Sequence, residues 1–299
     1  MIDFVQNTID GVMIGSSYAL LALGFTLIFG VMRRLNLSYG PSIMIGAYLG
    51  TLLYVQLSAG PLVVIIATVF GAVLAGLYVE RLCFAPMAAG AGVASMVSSF
   101  AIWMQLEQAA ILVLPRHTYP FPPLVTGEPL QLGPFLLRVD HLIMLGCALA
   151  LSLAVQRLIY RSRFGLALRA IVNNPTAAHL VGINVKSAVM VAFALASAVG
   201  GVAGYLVLAS DQQITPMFGM WATIKGLIAM MIGGLGSIPG AILGGLVLGI
   251  VEAHSQWYFG PQIRDLFAYL LLFTCLVLRP GGLLGEPPAR EFALGRQGA

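Results

Sequence analysis

GLALRAIVNNPTAAHLVGINV, Gly165 to Val185, is a polar island in a chain of 299 residues that is 59% hydrophobic and 9% charged. Asn174 has the side chain of an N-cap, and Pro175 falls at the first helical position, where a missing N–H costs nothing. The spacing predicts a helix over Thr176 to Val181, with Gly182 supplying the left-handed residue that stops it. So short a helix is marginal alone in water. Set between two long apolar stretches, it reads either as a helix docked against something or as a loop with one helical turn.

Working outward from the island, apolar runs of roughly 20 residues recur, each enough to span a bilayer core of about 30 Å. The mean hydropathy is +0.95. These runs predict an all-α polytopic membrane protein of about eight apolar segments, folded as a single transmembrane domain over residues 1–299. The short alternating segments of a membrane barrel are missing. The net charge of +4 is small and lies in loops, so it argues topology and not nucleic-acid binding. Cys83, Cys147 and Cys275 are isolated and fit no metal or disulfide spacing.

In chain order, the predicted segments begin with Ile9–Val31, whose Gly11, Gly15, Ser16, Ser17, Ala19, Ala22 and Gly24 suit close helix contact. After Arg33-Arg34, a break at Gly40-Pro41 precedes Ser42–Leu57. Leu62–Leu82, Val93–Leu114 and Val139–Tyr160 follow. The loop 115–138, with six prolines, reads as an ordered external loop. Beyond the island come Ser187–Leu208, a polar loop, and Trp221–Ala253. This seventh segment is interrupted by GGLGSIPG, Gly233–Gly240, where half-helices can meet. Ile263–Leu278 is the last. With the island placed in the cytoplasm, Arg33, Arg34, Arg81, Arg157, Arg161, Arg163, Arg169 and Lys186 lie inside, and only Arg116 and Arg138 outside. The C-terminal side depends on the seventh segment. If it dips in and returns, Arg279, Arg290 and Arg296 fall inside; if it crosses fully, the tail is outside.

Chemistry-bearing residues are sparse. His117, His141, His179 and His254 form no close ligand pair, and no nucleophile elbow or Walker A motif is present. Nothing marks an enzyme or a metal site. Glu107, Lys225 and Glu252 lie at membrane depth, where ionisable groups are expensive and functional, or at helix ends, where their head groups snorkel to the interface.

Four stretches together resemble a known family: GVMIGSSYALLALGFTLIFGVMRRLNLSYG from Gly11, FGLALRAIVNNPTAAHLVGINV from Phe164, IKGLIAMMIGGLGSIPGAILGGLVLGIVE from Ile224, and LVLRPGGLLG from Leu276. The chain is similar over nearly its whole length to the permease subunits of branched-chain amino-acid ABC importers, and to the first of the two permeases that pair there. The resemblance implies a second homologous permease, two cytoplasmic ABC ATPases that bind the ATP, and a periplasmic or extracellular solute-binding protein. It implies a multi-pass protein of the bacterial inner membrane with no cofactor of its own. It also implies that the segment 165–185 couples to an ATPase through Gly165, Arg169, Asn173, Asn174, Pro175, Ala177, Ala178, Leu180, Gly182 and Ile183. The expected translocation path involves Asn36, Tyr39, Gly40, Glu107, Gly234 and Ser237.

The chain departs from the family in places. The loop after the first span usually reads N-F-A-H-G and then an acid; here it is Asn36-Leu37-Ser38-Tyr39-Gly40-Pro41. Ser99-Phe100-Ala101 stands where T-I-G is usual, and Glu107 replaces a glutamine. If these positions line the path, the cargo extends to other amino acids, amides or urea. A stand-alone secondary transporter or channel is the competing class, and it would need no ATPase-docking helix.

Overall fold

The computed structural model describes residues 2–87, 92–114, 118–125, 130–132 and 135–285. Its helices are α1 (Ile2–Met32), α2 (Tyr39–Leu57), α3 (Pro61–Val79, continued by a π-turn Glu80–Phe84), α4 (Gly92–Val113) and α5 (Val139–Arg161). Then come α6 (Arg163–Asn173), α7 (Pro175–Leu180), α8 (Val185–Asp211), α9 (Phe218–Gly233), α10 (Ile238–Phe259) and α11 (Arg264–Leu278). Among the described residues, eight helical segments are long and apolar enough to cross a membrane: α1, α2, α3 with its π-turn, α4, α5, α8, α10, and α11 with the turn Pro261–Ile263 before it. The protein is an all-α polytopic membrane protein, as its composition predicts.

The bundle is organised around α1, whose most apolar stretch is 83% buried, against 11% for α4 and 6% for α11. The small residues of α1 meet the glycines of α10 in an antiparallel seam. A methyl group on Gly11 would sit 2.7 Å from Ile250 Cα, and one on Gly15 would sit 2.9 Å from Leu246 Cα. Small residues let two backbones approach where apolar side chains gain nothing over lipid. The α2–α3 contact repeats the device, with a methyl on Gly71 falling 2.8 Å from Gly46 Cα.

The segment read as one broken helix is two. α9 has 16 residues and α10 has 22, joined by a tight turn with Gly234 at φ +116° and Gly236 at φ +83°. The pair forms an antiparallel hairpin: Gly244 lies over Gly233, and Lys225 reaches Glu252. Of the two alternatives for the C-terminal side, the hairpin therefore dips and returns. α11 then runs back, and its following residues fold onto the hairpin turn, where Leu283 N–H donates to Ile232 O (2.8 Å) and Leu284 N–H to Gly233 O (2.9 Å). Arg279 thus lies at the α6–α7 end of the bundle, with Arg33, Arg34, Arg81, Arg157, Arg161, Arg163, Arg169 and Lys186. Arg290 and Arg296 lie outside the described residues.

Two boundaries differ from expectation. α2 begins at Tyr39 and not after Pro41, because Pro41 occupies the first turn, where no intrahelical N–H bond is lost. Arg33 ends α1 in the left-handed region at φ 54°, which turns Leu35 to Ser38 back into the bundle. At the opposite end, the proline-rich loop contributes β1 (Tyr119–Pro120), which pairs antiparallel with β4 (Gln213–Ile214) just after α8. It also contributes the hairpin β2 (Leu130–Leu132) with β3 (Phe135–Leu137). Arg116 and residues 126–129 of that loop lie outside the described residues.

Candidate functional site

The polar island forms a ledge at one end of the bundle. Ser162 caps α6, its hydroxyl accepting from Gly165 N–H at 3.0 Å. Gly165 lies so close to the Ile159 backbone that a side chain there would have no room. α6 is amphipathic: Leu168 and Ile171 are buried, while Arg169 and Asn173 face outward. Asn174 then ends α6 and opens α7, its side chain accepting from Ala177 N–H at 3.0 Å, with Pro175 at the first turn. α7 stops through Gly182 at φ +86°, whose N–H donates to His179 O, while Ile183 N–H donates to Ala178 O. This six-residue helix is held at both ends, as its sequence predicts.

Its two faces are unlike. Ala178 is 3% exposed and sits on Leu168, Ile171, Ala188 and Ala192, tying α7 to α6 and α8. The expectation of Ala178 as an outward contact is corrected on that ground: it faces the bundle. Leu180 is 81% exposed and Val181 76%, with Ala177 and Pro175 beside them. Ile183 is half-buried beneath. The ledge therefore shows an apolar tip on a fixed base.

Between this ledge and the hairpin turn lies a cavity of about 660 Å³. It brings together Arg169 and Asn173 of the island and Ser237 of the glycine-rich break, with Thr26 and Arg33 of α1. Ser237 caps α10, accepting from Gly240 N–H at 3.2 Å. Gly234 does not face the cavity. A methyl on it would lie 2.6 Å from Gly285 Cα, so its place is taken by the returning C-terminal segment.

Asn36, Tyr39 and Gly40 gather in the interior. The Asn36 carboxamide oxygen accepts from Ser38 N–H (3.0 Å), forming a turn that lets the loop enter. Leu37 N–H donates to Ser99 Oγ (3.1 Å), and the Ser38 hydroxyl donates to Ser99 O. Tyr39 is 1% exposed, its hydroxyl donating to Ala196 O at 3.0 Å and its ring against Phe25. Gly40 lies against the backbone of Gly219 and Thr223 on α9. Glu107 is apart from these groups, eight residues beyond Ser99 on the sparsely buried α4. It accepts from Trp103 Nε1 at 2.8 Å.

The structure also assembles a cluster that the sequence showed only as single residues. Lys225 Nζ lies 2.6 Å from Glu252 Oε1 and 2.7 Å from Asp265 Oδ1; Arg264 Nε lies 2.7 Å from Glu252 Oε2. The Tyr18 hydroxyl donates to Glu252 Oε2 at 2.7 Å and accepts from Arg264. Lys225 is 4% exposed and Glu252 1%, which decides between the two readings of these residues against snorkelling to the interface. Two cations and two carboxylates thus join α1, α9, α10 and α11. Their spacing along the chain carries no local signal, because the pairing exists only once the hairpin closes.

Comparison with known proteins follows this geometry. The family described as "Branched-chain amino acid transport system / permease component" matches residues 7–276. The chain is 32% identical to the high-affinity branched-chain amino acid transport system permease protein BraD of Pseudomonas aeruginosa, over 96% of this chain and 98% of that one. It is 31% identical to the corresponding permease protein LivH of Escherichia coli K12, over 96% and 97% of the two. A solved structure, PsaBC from Streptococcus pneumoniae in complex with Fab, shares the fold at a TM-score of 0.53 and 13% identity, covering 96% of this chain and 94% of that one.

Proposed function

This chain belongs to the family of permease components of branched-chain amino acid transport systems, and from that premise we propose that it is a permease subunit of an ATP-driven importer of branched-chain or similar amino acids in the bacterial inner membrane. The basic α6–α7 end faces the cytoplasm, as the excess of arginine there favours. A second homologous permease completes the path, two ABC ATPases bind the ATP and dock at α6–α7, and a periplasmic or extracellular binding protein delivers solute to the opposite end. The chain itself binds no cofactor. The observation that carries the reading is α7: capped at both ends, based on Ala178, and presenting Leu180 and Val181 outward. A stand-alone carrier has no use for such a tip.

Coupling follows from rigidity. α7 is fixed to α6 and α8 through Ala178, Leu168, Ala188 and Ala192, so movement imposed on the tip is handed to α8 and not lost in a loop. Arg169 and Asn173 flank the tip, with Gly165, Asn174, Gly182 and Ile183 setting its shape. On the path side, Asn36, Tyr39, Gly40, Gly234, Ser237 and Glu107 are the positions we assign to solute passage or to the helix contacts that shape it. A second reading, import of amides or urea by the same machinery, is favoured by Tyr39-Gly40-Pro41, where the family carries histidine and an acid.

Leu180→Asp tests the first reading in cells expressing the complete transporter. Uptake of leucine should fall at least about tenfold, since an anion replaces a buried apolar contact, while the chain still reaches the membrane and ATPase activity in isolated membranes persists. Uptake equal to that of the unmodified chain would overturn the docking role. Strong urea uptake without leucine or phenylalanine uptake would replace the cargo and leave the importer reading standing.

A further inference from the structure

The cavity under the ledge is basic on one side and apolar on the other. Arg33 and Arg169 both line it, and among the described residues neither is ion-paired. Arg169 lies over the Tyr160 ring at 5.7 Å, and its Nε donates to Gly165 O at 3.4 Å. The N-terminus of α10, positive by its dipole, reaches the cavity through Ser237 and Ile238. The other lining side chains are mainly apolar, among them Phe29, Ile159 and Leu168, with Asn173 a polar exception.

Two guanidinium groups without a carboxylate partner, beside a helix N-terminus, call for an anion with several acceptor oxygens. The apolar walls call for an acyl or similarly greasy body attached to it. The cavity sits at the basic end of a membrane-spanning bundle, and basic pockets of this kind between helices take lipid phosphates. A carboxylate would satisfy fewer of these donors than a phosphate. We infer that this cavity binds the phosphate headgroup of an anionic phospholipid, held by Arg33 and Arg169, between α1, α6 and the α9–α10 turn. The lipid would thereby link the ledge to the hairpin turn, two parts of the chain otherwise separated by open space.

The test uses the full-length chain, delipidated in a neutral detergent, with native mass spectrometry as the readout. The probes are phosphatidylglycerol, phosphatidylcholine of the same acyl chains, and glycerol 3-phosphate as the soluble source of the same phosphate. The unmodified chain should retain one phosphatidylglycerol, about tenfold more tightly than phosphatidylcholine. Arg33→Gln with Arg169→Gln should abolish that preference, and Arg33→Lys with Arg169→Lys should keep most of it, which separates charge from misfolding. Arg157→Gln with Arg161→Gln, at the same end but off the cavity, should leave it unchanged. Equal retention by the glutamine double variant, or equal loss in the Arg157 and Arg161 control, would overturn the site. Displacement of the lipid by millimolar glycerol 3-phosphate would overturn the lipid as occupant in favour of a soluble phosphate.

Discussion

Glu252 carries three of the contacts in the buried cluster: Lys225, Arg264 and the Tyr18 hydroxyl. A carboxylate at that depth is tolerated only because its partners neutralise it, and removing one member leaves the others uncompensated. Glu252→Ala is therefore expected to cost about 3–5 kcal/mol, the range for breaking a buried pair. Lys225→Met combined with Glu252→Gln should cost less, because no lone lysine is left behind. Thermal unfolding of the two variants in detergent checks the order; an alanine variant as stable as the parent would contradict it. Lys225 and Glu252 could be singled out in the sequence as rare charges in apolar runs. Their pairing could not, since 27 residues separate them and only the hairpin brings them face to face.

At the scale of elements, α7 and the hairpin contrast in how they are specified. α7 is written locally: Asn174, Pro175 and Gly182 supply a cap, a first turn and a stop within nine positions. Asn174→Ala should loosen it by about 1 kcal/mol, the usual loss of an N-cap. Faster amide exchange over 175–183, with the exchange of α8 unchanged, is the expected result. The α9–α10 hairpin is written partly at a distance. GGLGSIPG announces a break, but its sharpness rests on Gly234 being covered by Gly281, Gly282 and Gly285 from the C-terminal segment. RPGGLLG has glycine at 281, 282 and 285 for that reason. The same seam logic explains Gly11 and Gly15 of α1, whose partners lie on α10, over two hundred residues away.

For the whole molecule, the alternation of spans places both chain ends of the bundle in order. α1 starts at the end opposite the ledge, and α11 finishes at the ledge end. With the ledge cytoplasmic, as proposed, Gln56 at the end of α2 faces outside and Ala177 faces inside. A membrane-impermeant maleimide applied to intact spheroplasts should label Gln56→Cys and spare Ala177→Cys until the membrane is opened. The reverse pattern would invert the topology and remove the ATPase-docking role from α7. Arg264 does not weaken the charge argument, although it lies at the outer end of α11, because Glu252 neutralises it within the bundle.

Hydrophobic run length, the caps of α7 and the placement of arginine are local or one-dimensional properties, and they sufficed for the class of protein, its spans and the capped helix of the ledge. They sufficed because lipid demands internal backbone hydrogen bonding, so long apolar runs have few alternatives to the helix. Which faces meet is a different kind of information. In a bundle hydrophobic all round, periodicity does not distinguish lipid-facing from protein-facing sides. Tertiary structure alone turned Ala178 inward and Leu180 outward, set Tyr39 against Ala196 O, and closed Lys225 on Glu252. It also gathered Thr26, Arg33, Arg169 and Ser237 around one cavity. Those four come from three separate parts of the chain, and no local spacing could have joined them.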